Sequence, residues 1–257
     1  DDDGDVITHK AITAKEFESH LAYLKANDYN VMDLATAIES VQQGNPLPNK
    51  AIAITFDDAW RDIYLNGFPL LKKYNYPFTV FVNTDPVDQN NRHTMTWDML
   101  RDLKQHGVII ANHTQDHDYL VRKPAYDGQW LTQALENIDY AQQRLTKELG
   151  EVPKWLAYPY GEYNDPLKAA LKQKGYIAFG QQSGGVAEFS DWQALPRFPA
   201  AGAYSNLKTL KTKLASQPFP ANYTAFKNPV IRIDQGDQNQ PILDVALTQS
   251  QKLGVRQ

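Results

Sequence analysis

Two hydrophobic patterns alternate along most of the chain. Short continuous apolar runs are typical of strands buried on both faces of a parallel sheet, and segments with a helical period lie between them. The predicted strands are 51–56, 78–82, 108–111, 155–158 and 176–179. The predicted helices are one capped at Thr13, then 33–43, 60–74, 96–107, 128–149, 166–174 and 205–215. This alternation predicts an α/β fold with a parallel sheet, either doubly wound or a complete or distorted (β/α) barrel.

The pattern changes toward the C-terminus. A proline-rich segment at 217–220 follows the last predicted helix, and short β-type runs follow at 230–233 and 242–245. We therefore expect one α/β domain over residues 1–220. Residues 221–257 are expected to form a β-rich extension or the start of a further domain.

The composition of the chain argues against several classes of function. The 257 residues suffice for one large core, and 26 Lys+Arg against 30 Asp+Glu give a net charge of −4, which argues against nucleic-acid binding. The chain has no cysteine, so disulfides and thiol catalysis are excluded. No apolar run approaches the roughly 20 residues of a membrane-spanning helix, so we predict no transmembrane segment. The acidic opening, Asp-Asp-Asp-Gly-Asp, differs from a signal peptide, and we expect that an upstream segment has been removed.

Candidate functional side chains follow three of the predicted strands. Asp57 and Asp58 follow the first, His113 and His117 follow the third, and the Tyr-Pro-Tyr-Gly segment 158–161 stands at the end of the fourth. Taken singly, each has an ordinary alternative: a helix cap, two solvated histidines, or a turn. Because the carboxyl ends of parallel strands share one edge of a sheet, their combination favours a functional site there.

The residue types at this edge indicate metal chemistry. Neighbouring residues at a strand end point in different directions, so one carboxylate can bind a metal while the other acts as a base. His113 and His117 are four residues apart, and on one helical turn both imidazoles would face the same cation. Two histidines and one carboxylate leave open coordination positions, as a catalytic metal that activates water requires.

The same segments resemble a known family. Thr55-Phe56-Asp57-Asp58, His113-Thr114-x-x-His117 and Tyr158-Pro159-Tyr160-Gly161 are similar to the first three motifs of the polysaccharide deacetylases (NodB homology, carbohydrate esterase family 4). The resemblance covers about residues 50–200, and it is strongest to the branch that acts on poly-β-1,6-N-acetylglucosamine in biofilm matrix. It implies a distorted (β/α) barrel of the NodB-homology type with a short C-terminal β extension. It also implies a hydrolase that releases acetate from an N-acetylated polysaccharide.

The resemblance implies a role for each site residue. Asp58, His113 and His117 would bind a divalent metal ion, with zinc first and cobalt, nickel or iron as alternatives. Asp57 would be the general base, and a backbone N–H in the Tyr160 region would help to stabilise the oxyanion. The residues expected to bind substrate are Trp60, Tyr158, Tyr160, Trp192 and Arg197. For the two tryptophans, core packing is an equal alternative. Arg197 is also a candidate for the charge that the family's third motif places beside the catalytic aspartate.

The chain also departs from the family pattern. Ala59 and Trp60 follow the first motif where glycine is common, and no histidine follows His117, so the late motif that supplies a general acid is absent. Two alternatives therefore stay open. One is a carbohydrate-binding protein with weak or no catalysis, and the other is a deacetylase of peptidoglycan, chitin or xylan. Members of the branch that this chain resembles are exported, which implies a periplasmic or extracellular location. The sequence does not indicate the oligomeric state.

Overall fold

The computed structural model describes residues 12–121 and 128–217, together with the backbone of two strands at 230–234 and 242–246. The helices are α1 (Ala14–Ala26), α2 (Leu34–Gln42), α3 (Phe68–Tyr74), α4 (Thr84–Asp88), α5 (Trp97–Gln105), α6 (Trp130–Leu149), α7 (Asp165–Gln173) and α8 (Leu207–Ala215). The strands are β1 (Asn30–Val31), β2 (Ala51–Ile52), β3 (Thr55–Phe56), β4 (Thr79–Val82), β5 (Ile109–Asn112), β6 (Trp155–Ala157), β7 (Ile177–Phe179), β8 (Val230–Asp234) and β9 (Ile242–Ala246).

The principal sheet settles the choice between the two predicted architectures. Its five strands run parallel in the order β3-β4-β5-β6-β7, which is also their order along the chain. A doubly wound sheet reverses its strand order at a switch point, and this sheet has no reversal. The strands curl with their helices into a half-barrel, which confirms the predicted distorted (β/α) barrel.

Helix starts follow the local sequence closely. The Thr13 side chain accepts a hydrogen bond from the Glu16 backbone N–H, and the Glu16 carboxylate accepts one from the Thr13 backbone N–H, as the predicted capping box requires. Asp33 and Thr96 cap α2 and α5 through their side-chain oxygens. A π-helical turn at Ile63–Gly67 precedes α3, so the single helix predicted over 60–74 is only partly regular.

The apolar run at 51–56 is two strands rather than the one predicted. β2 pairs in parallel with β1, and β3 joins the principal sheet beside β4. The division follows from hydrogen bonding: the Ile52 carbonyl accepts from Met32, whereas the Ile54 carbonyl accepts from Thr79. β3 therefore carries its carboxyl end to the sheet edge at Asp57.

The core lies on both faces of the principal sheet. All four residues of β4 are fully buried, as expected for a covered parallel strand. On one face, Val80 and Val82 pack with Leu100 and Leu103 of α5. On the other, Phe81 packs with residues of β5, β6 and β7 and with Leu195. This double burial makes the sheet a rigid base for the loops at its carboxyl edge.

The C-terminal segment contains the two predicted strands. β8 and β9 form an antiparallel pair with Val230 opposite Ala246. The predicted domain boundary at 220/221 lies outside the described residues and stays a prediction. Among the described helices, none combines the length and the apolar character needed to cross a bilayer.

Candidate metal centre

Three potential metal ligands converge at the carboxyl edge of the sheet. Asp58 follows β3, and His113 and His117 follow β5. The Oδ1 atom of Asp58 lies 3.2 Å from Nε2 of His113 and 3.3 Å from Nε2 of His117. One ligand atom from each of the three residues lies within 4.8 Å of the other two. The side chains predicted from separate loops thus face one common point.

The hydrogen bond made by Nδ1 of His113 indicates which group the common point can accommodate. His113 is 1% exposed, and its Nδ1 lies 2.8 Å from the Ala157 carbonyl oxygen. A carbonyl only accepts, so Nδ1 carries the proton and Nε2 of the neutral ring presents a lone pair. Two imidazole nitrogens and a carboxylate oxygen then point at one another, an arrangement that requires a proton or a cation between them. The donor set fits a divalent metal of the zinc type.

The histidine pair is not on a helical turn. His113 to His117 lie in an irregular loop after β5, so the expectation of a shared helix face is wrong. His117 instead reaches the centre because its own backbone and that of Thr114 are left-handed, with φ of 60° and 73°. The two imidazole centroids are 4.8 Å apart at an interplanar angle of 69°.

Two asparagine side chains hold this loop in place. Asn112, fully buried at the end of β5, accepts from the Thr114 N–H at 2.7 Å and donates to the Ile138 carbonyl of α6 at 2.9 Å. Asn137 of α6 accepts from the Gln115 N–H at 2.7 Å. Sequence reasoning missed both asparagines. Asn112 directly precedes the predicted ligand His113, and this position could have indicated its role. Nothing near Asn137 in the sequence indicates its role.

Asp57 and Arg197 form a bidentate ion pair behind the centre. Nη1 and Nη2 of Arg197 lie 2.7 and 2.8 Å from the two carboxylate oxygens, and Nε donates to the Gly180 carbonyl at 2.9 Å. The pair joins residues 140 apart in the chain. Arg197 therefore lies where the hypothesis of a charge beside the catalytic aspartate requires it. Because its guanidinium is engaged there, the prediction that Arg197 binds substrate loses its basis.

The charges around Asp57 keep its carboxyl ionised. Burial by itself raises the pKa of Asp57, but the charges of Arg197 and His113 and the Arg197 hydrogen bonds outweigh it. The pKa of Asp57 therefore lies below its ordinary value. The same opposition operates at Asp58: burial raises its pKa, but the hydrogen bond and charge of His113 and the charge of His117 outweigh burial. The pKa of Asp58 therefore also lies below its ordinary value. For His113, burial lowers the pKa, and the Asp57 and Asp58 carboxylates raise it above the ordinary value.

Tyr158 does not face the centre. Its side chain is 0% exposed, packs in the core with Leu156 and Leu167, and donates to the Gln193 carbonyl at 2.7 Å. The prediction that Tyr158 binds substrate is wrong, because a ring without exposed surface cannot contact a sugar. Its burial supports the turn that carries Tyr160.

Tyr160 lies beside the metal ligands. Its ring centroid is 4.7 Å from that of His117, and its ring stacks on Tyr119 with centroids 4.1 Å apart and planes at 19°. Its backbone is left-handed, with φ of 58°. Tyr160 remains 38% exposed, so the stacked pair forms an aromatic surface at the rim. Sequence reasoning missed Tyr119, two residues after His117.

The two predicted substrate-binding tryptophans differ in position. Trp60 is 49% exposed, and its indole N–H donates to Oδ2 of Asp58 at 3.2 Å. Trp192 is half-buried and packs against the core cluster of Phe81 and Phe179. Trp60 thus borders the centre. Trp192 has the core-packing role that the sequence left as its alternative.

Backbone strain is concentrated at this site. Asp58, Ala59, Thr114, His117 and Tyr160 all have positive φ, although none is glycine. Such conformations cost roughly 1–3 kcal/mol each and persist where surrounding contacts over-determine them. Their accumulation around one cluster of donors is typical of a functional site.

Comparisons with known proteins identify the family of this chain. Residues 44–179 match a family model described as polysaccharide deacetylase. The poly-beta-1,6-N-acetyl-D-glucosamine N-deacetylase of Staphylococcus epidermidis is 30% identical over 200 residues, which cover 74% of this chain and 68% of that protein. The Bacillus subtilis protein YxkH is 28% identical over 165 residues, which cover 64% of this chain and 56% of YxkH. This chain therefore spans little more than half the length of YxkH.

One solved structure confirms the fold class independently. The de-N-acetylase from Aggregatibacter actinomycetemcomitans superposes with a TM-score of 0.73 at 23% identity, over 82% of this chain and 93% of that one. At this identity the similarity concerns the fold alone.

Proposed function

The chain belongs to the polysaccharide deacetylase family, and we propose that it is a metal-dependent N-deacetylase of a polysaccharide containing N-acetylglucosamine. The observation that carries the proposal is the convergence of Asp58, His113 and His117 on one point, with Asp57 ionised beside them. We further propose zinc as the ion and poly-β-1,6-N-acetylglucosamine as the substrate. The staphylococcal relative, named for that activity, supports this choice of substrate.

Asp58, His113 and His117 would hold the ion. A bound ion would supply a Lewis acid for the acetamide carbonyl and would acidify water for attack. The Ala157 carbonyl keeps His113 in the tautomer that presents Nε2.

Asp57 is the proposed general base. It is ionised at neutral pH, and the Arg197 fork fixes its orientation. Its carboxylate accepts the proton that the attacking water loses as the tetrahedral oxyanion forms. A backbone N–H at the Tyr160 turn is the proposed donor to that oxyanion. Collapse of the tetrahedral species breaks the C–N bond: the proton that Asp57 accepted is passed to the sugar nitrogen, and the free amine and acetate are released.

The exposed aromatic rings at the rim are proposed to contact the sugar. The Tyr160–Tyr119 stack adjoins His117, and Trp60 adjoins Asp58. Flat apolar ring faces pack well against the C–H faces of pyranose rings. A substrate on a large polymer outside the cell accords with an exported protein, and we propose a periplasmic or extracellular location.

Acetate release from a panel of acetylated glycans tests the proposal. Poly-β-1,6-N-acetylglucosamine, peptidoglycan, chitin and acetylated xylan are offered to the zinc-loaded chain. We expect acetate from the first, and His113→Ala is expected to abolish both zinc binding and release. His106→Ala is the matched control, since His106 contacts Asp102 on α5, away from the centre.

A second variant distinguishes the proposed roles of Asp57 and Asp58. Asp57→Asn is expected to keep the zinc and to lose at least about 100-fold in turnover, as for a removed general base. Glycan binding without acetate under any divalent metal would favour the carbohydrate-binding alternative. Loss of zinc from Asp57→Asn with turnover intact would contradict the division of roles.

A further inference from the structure

The two oxygens of the Asp58 carboxylate face different partners. Oδ1 faces the two imidazole nitrogens at 3.2 and 3.3 Å. Oδ2 accepts a hydrogen bond from the Trp60 indole N–H at 3.2 Å. The carboxylate therefore presents one oxygen to the centre while the other is held from outside by a neutral donor.

The backbone between these residues is arranged to make this contact. Asp58 and Ala59 are both left-handed, with φ of 68° and 51°, and the two successive residues fold the chain back so that Trp60 reaches the side chain two positions before it. Ala59 is fully buried and its carbonyl accepts from the Met95 N–H at 2.9 Å. Trp60 itself forms a β-bridge with Thr94.

The backbone that carries the indole is thus anchored by the neighbouring segment as well as by its own turn. The Arg61 N–H also donates to the His93 carbonyl at 2.7 Å, which ties the start of the next helical turn to the same segment. The two left-handed residues, Asp58 and Ala59, lie directly between the carboxylate and its indole donor. Such strained backbone persists where the surrounding contacts over-determine it.

We propose that Trp60 is a positioning residue for Asp58: its indole N–H occupies Oδ2, so that the carboxylate offers only Oδ1 to the ion. The inference rests on the metal centre of the proposed function. Hydrogen bonds to the outer atoms of metal ligands orient those ligands, and their removal typically lowers metal affinity by about 10–100-fold. Without the indole, Asp58 is free to rotate about its terminal bond and to exchange its two oxygens.

The test removes the donor and keeps an aromatic ring. Trp60→Phe has no N–H, and replacing Trp60 by 3-benzothienylalanine keeps the indole shape with sulfur in place of the N–H. We expect both variants to bind zinc about tenfold or more weakly than wild type in competition with a chromophoric chelator. The visible spectrum of the cobalt-loaded protein should also change, because the carboxylate no longer binds through a single fixed oxygen.

The chain offers a matched control at another carboxylate. The Trp97 indole N–H donates to Asp88 at 2.9 Å, and Asp88 is bound by Arg144 outside the centre. Trp97→Phe makes the same chemical change there and is expected to leave zinc affinity and the cobalt spectrum as in wild type. A general effect of losing an indole would appear in both variants.

The outcomes distinguish this inference from the proposed function. Wild-type protein that binds no zinc, or His113→Ala that binds it normally, would overturn the metal centre itself. Wild type that binds zinc, with the benzothienyl variant equal to it in affinity and cobalt spectrum, would overturn only the role of Trp60. Weakening in the two Trp60 variants but not in Trp97→Phe supports it, and measuring metal affinity without substrate keeps sugar contacts out of the result.

Discussion

The ion pair between Arg197 and Asp57 makes a quantitative prediction for Arg197→Met. The two side chains are only 15% and 21% exposed, and the variant leaves the carboxylate without its countercharge. Removing one partner of a buried pair costs about 3–5 kcal/mol, and the residual exposure places this pair near the lower figure. A loss of about 3 kcal/mol corresponds to a fall in Tm of roughly 6–12 °C for a domain of this size.

The effect should depend on pH in a defined direction. The pKa of Asp57 in the native state lies below its ordinary value of 3.8, so the ion pair stabilises the fold fully at neutral pH. This stabilisation is lost as the pH falls through the native-state pKa and the carboxylate is protonated. The difference in unfolding free energy between wild type and Arg197→Met is therefore expected to be greatest near pH 7 and to shrink under acid conditions.

Urea unfolding at several pH values measures this, with two further variants. Asp57→Asn needs no countercharge, so the double variant should lose less stability than the two single losses added together. Lys174→Met breaks a more exposed pair with Asp139 and is expected to cost about 0–1 kcal/mol. An Arg197→Met variant as stable as wild type at pH 7, or strictly additive losses in the cycle, would refute the reasoning.

Three other perturbations address the loop, the aromatic rim and the ion. Asn112→Ala leaves the buried Thr114 N–H without its acceptor and is expected to cost about 2 kcal/mol in urea unfolding and to weaken zinc binding; unchanged zinc affinity would mean that the loop holds without it. Tyr119→Ala removes the stacking partner of Tyr160, a contact worth about 1 kcal/mol, and should raise KM for glycan with kcat little changed. Zinc at 100 times its Kd should stabilise wild type by about 2.7 kcal/mol against the chelated protein, and a similar shift in His113→Ala would place the ion elsewhere.

Local sequence determined most of the elements, and its motifs indicated the family. Apolar runs predicted the strands because burial on both faces admits few polar residues, and the capping box at Thr13 predicted a helix start because its oxygen satisfies a backbone N–H group three residues later. The candidate ligands were also readable from the sequence, since parallel strands bring their carboxyl ends to one edge. These inferences depend on contacts between near neighbours or on a rule of topology.

Tertiary structure alone decided how the side chains at that edge act. Arg197 lies 140 residues from Asp57, and although the sequence made it a candidate for the charge beside Asp57, only the folded structure shows the bidentate ion pair. Tyr158 and Tyr160 are two positions apart, yet one is buried and the other exposed, because the backbone of Tyr160 itself is left-handed. The loop that carries His117 is likewise shaped by asparagines on β5 and α6. Long-range hydrogen bonds and backbone strain compensated by distant contacts leave no local pattern in a sequence, so their consequences appear only once the chain has folded.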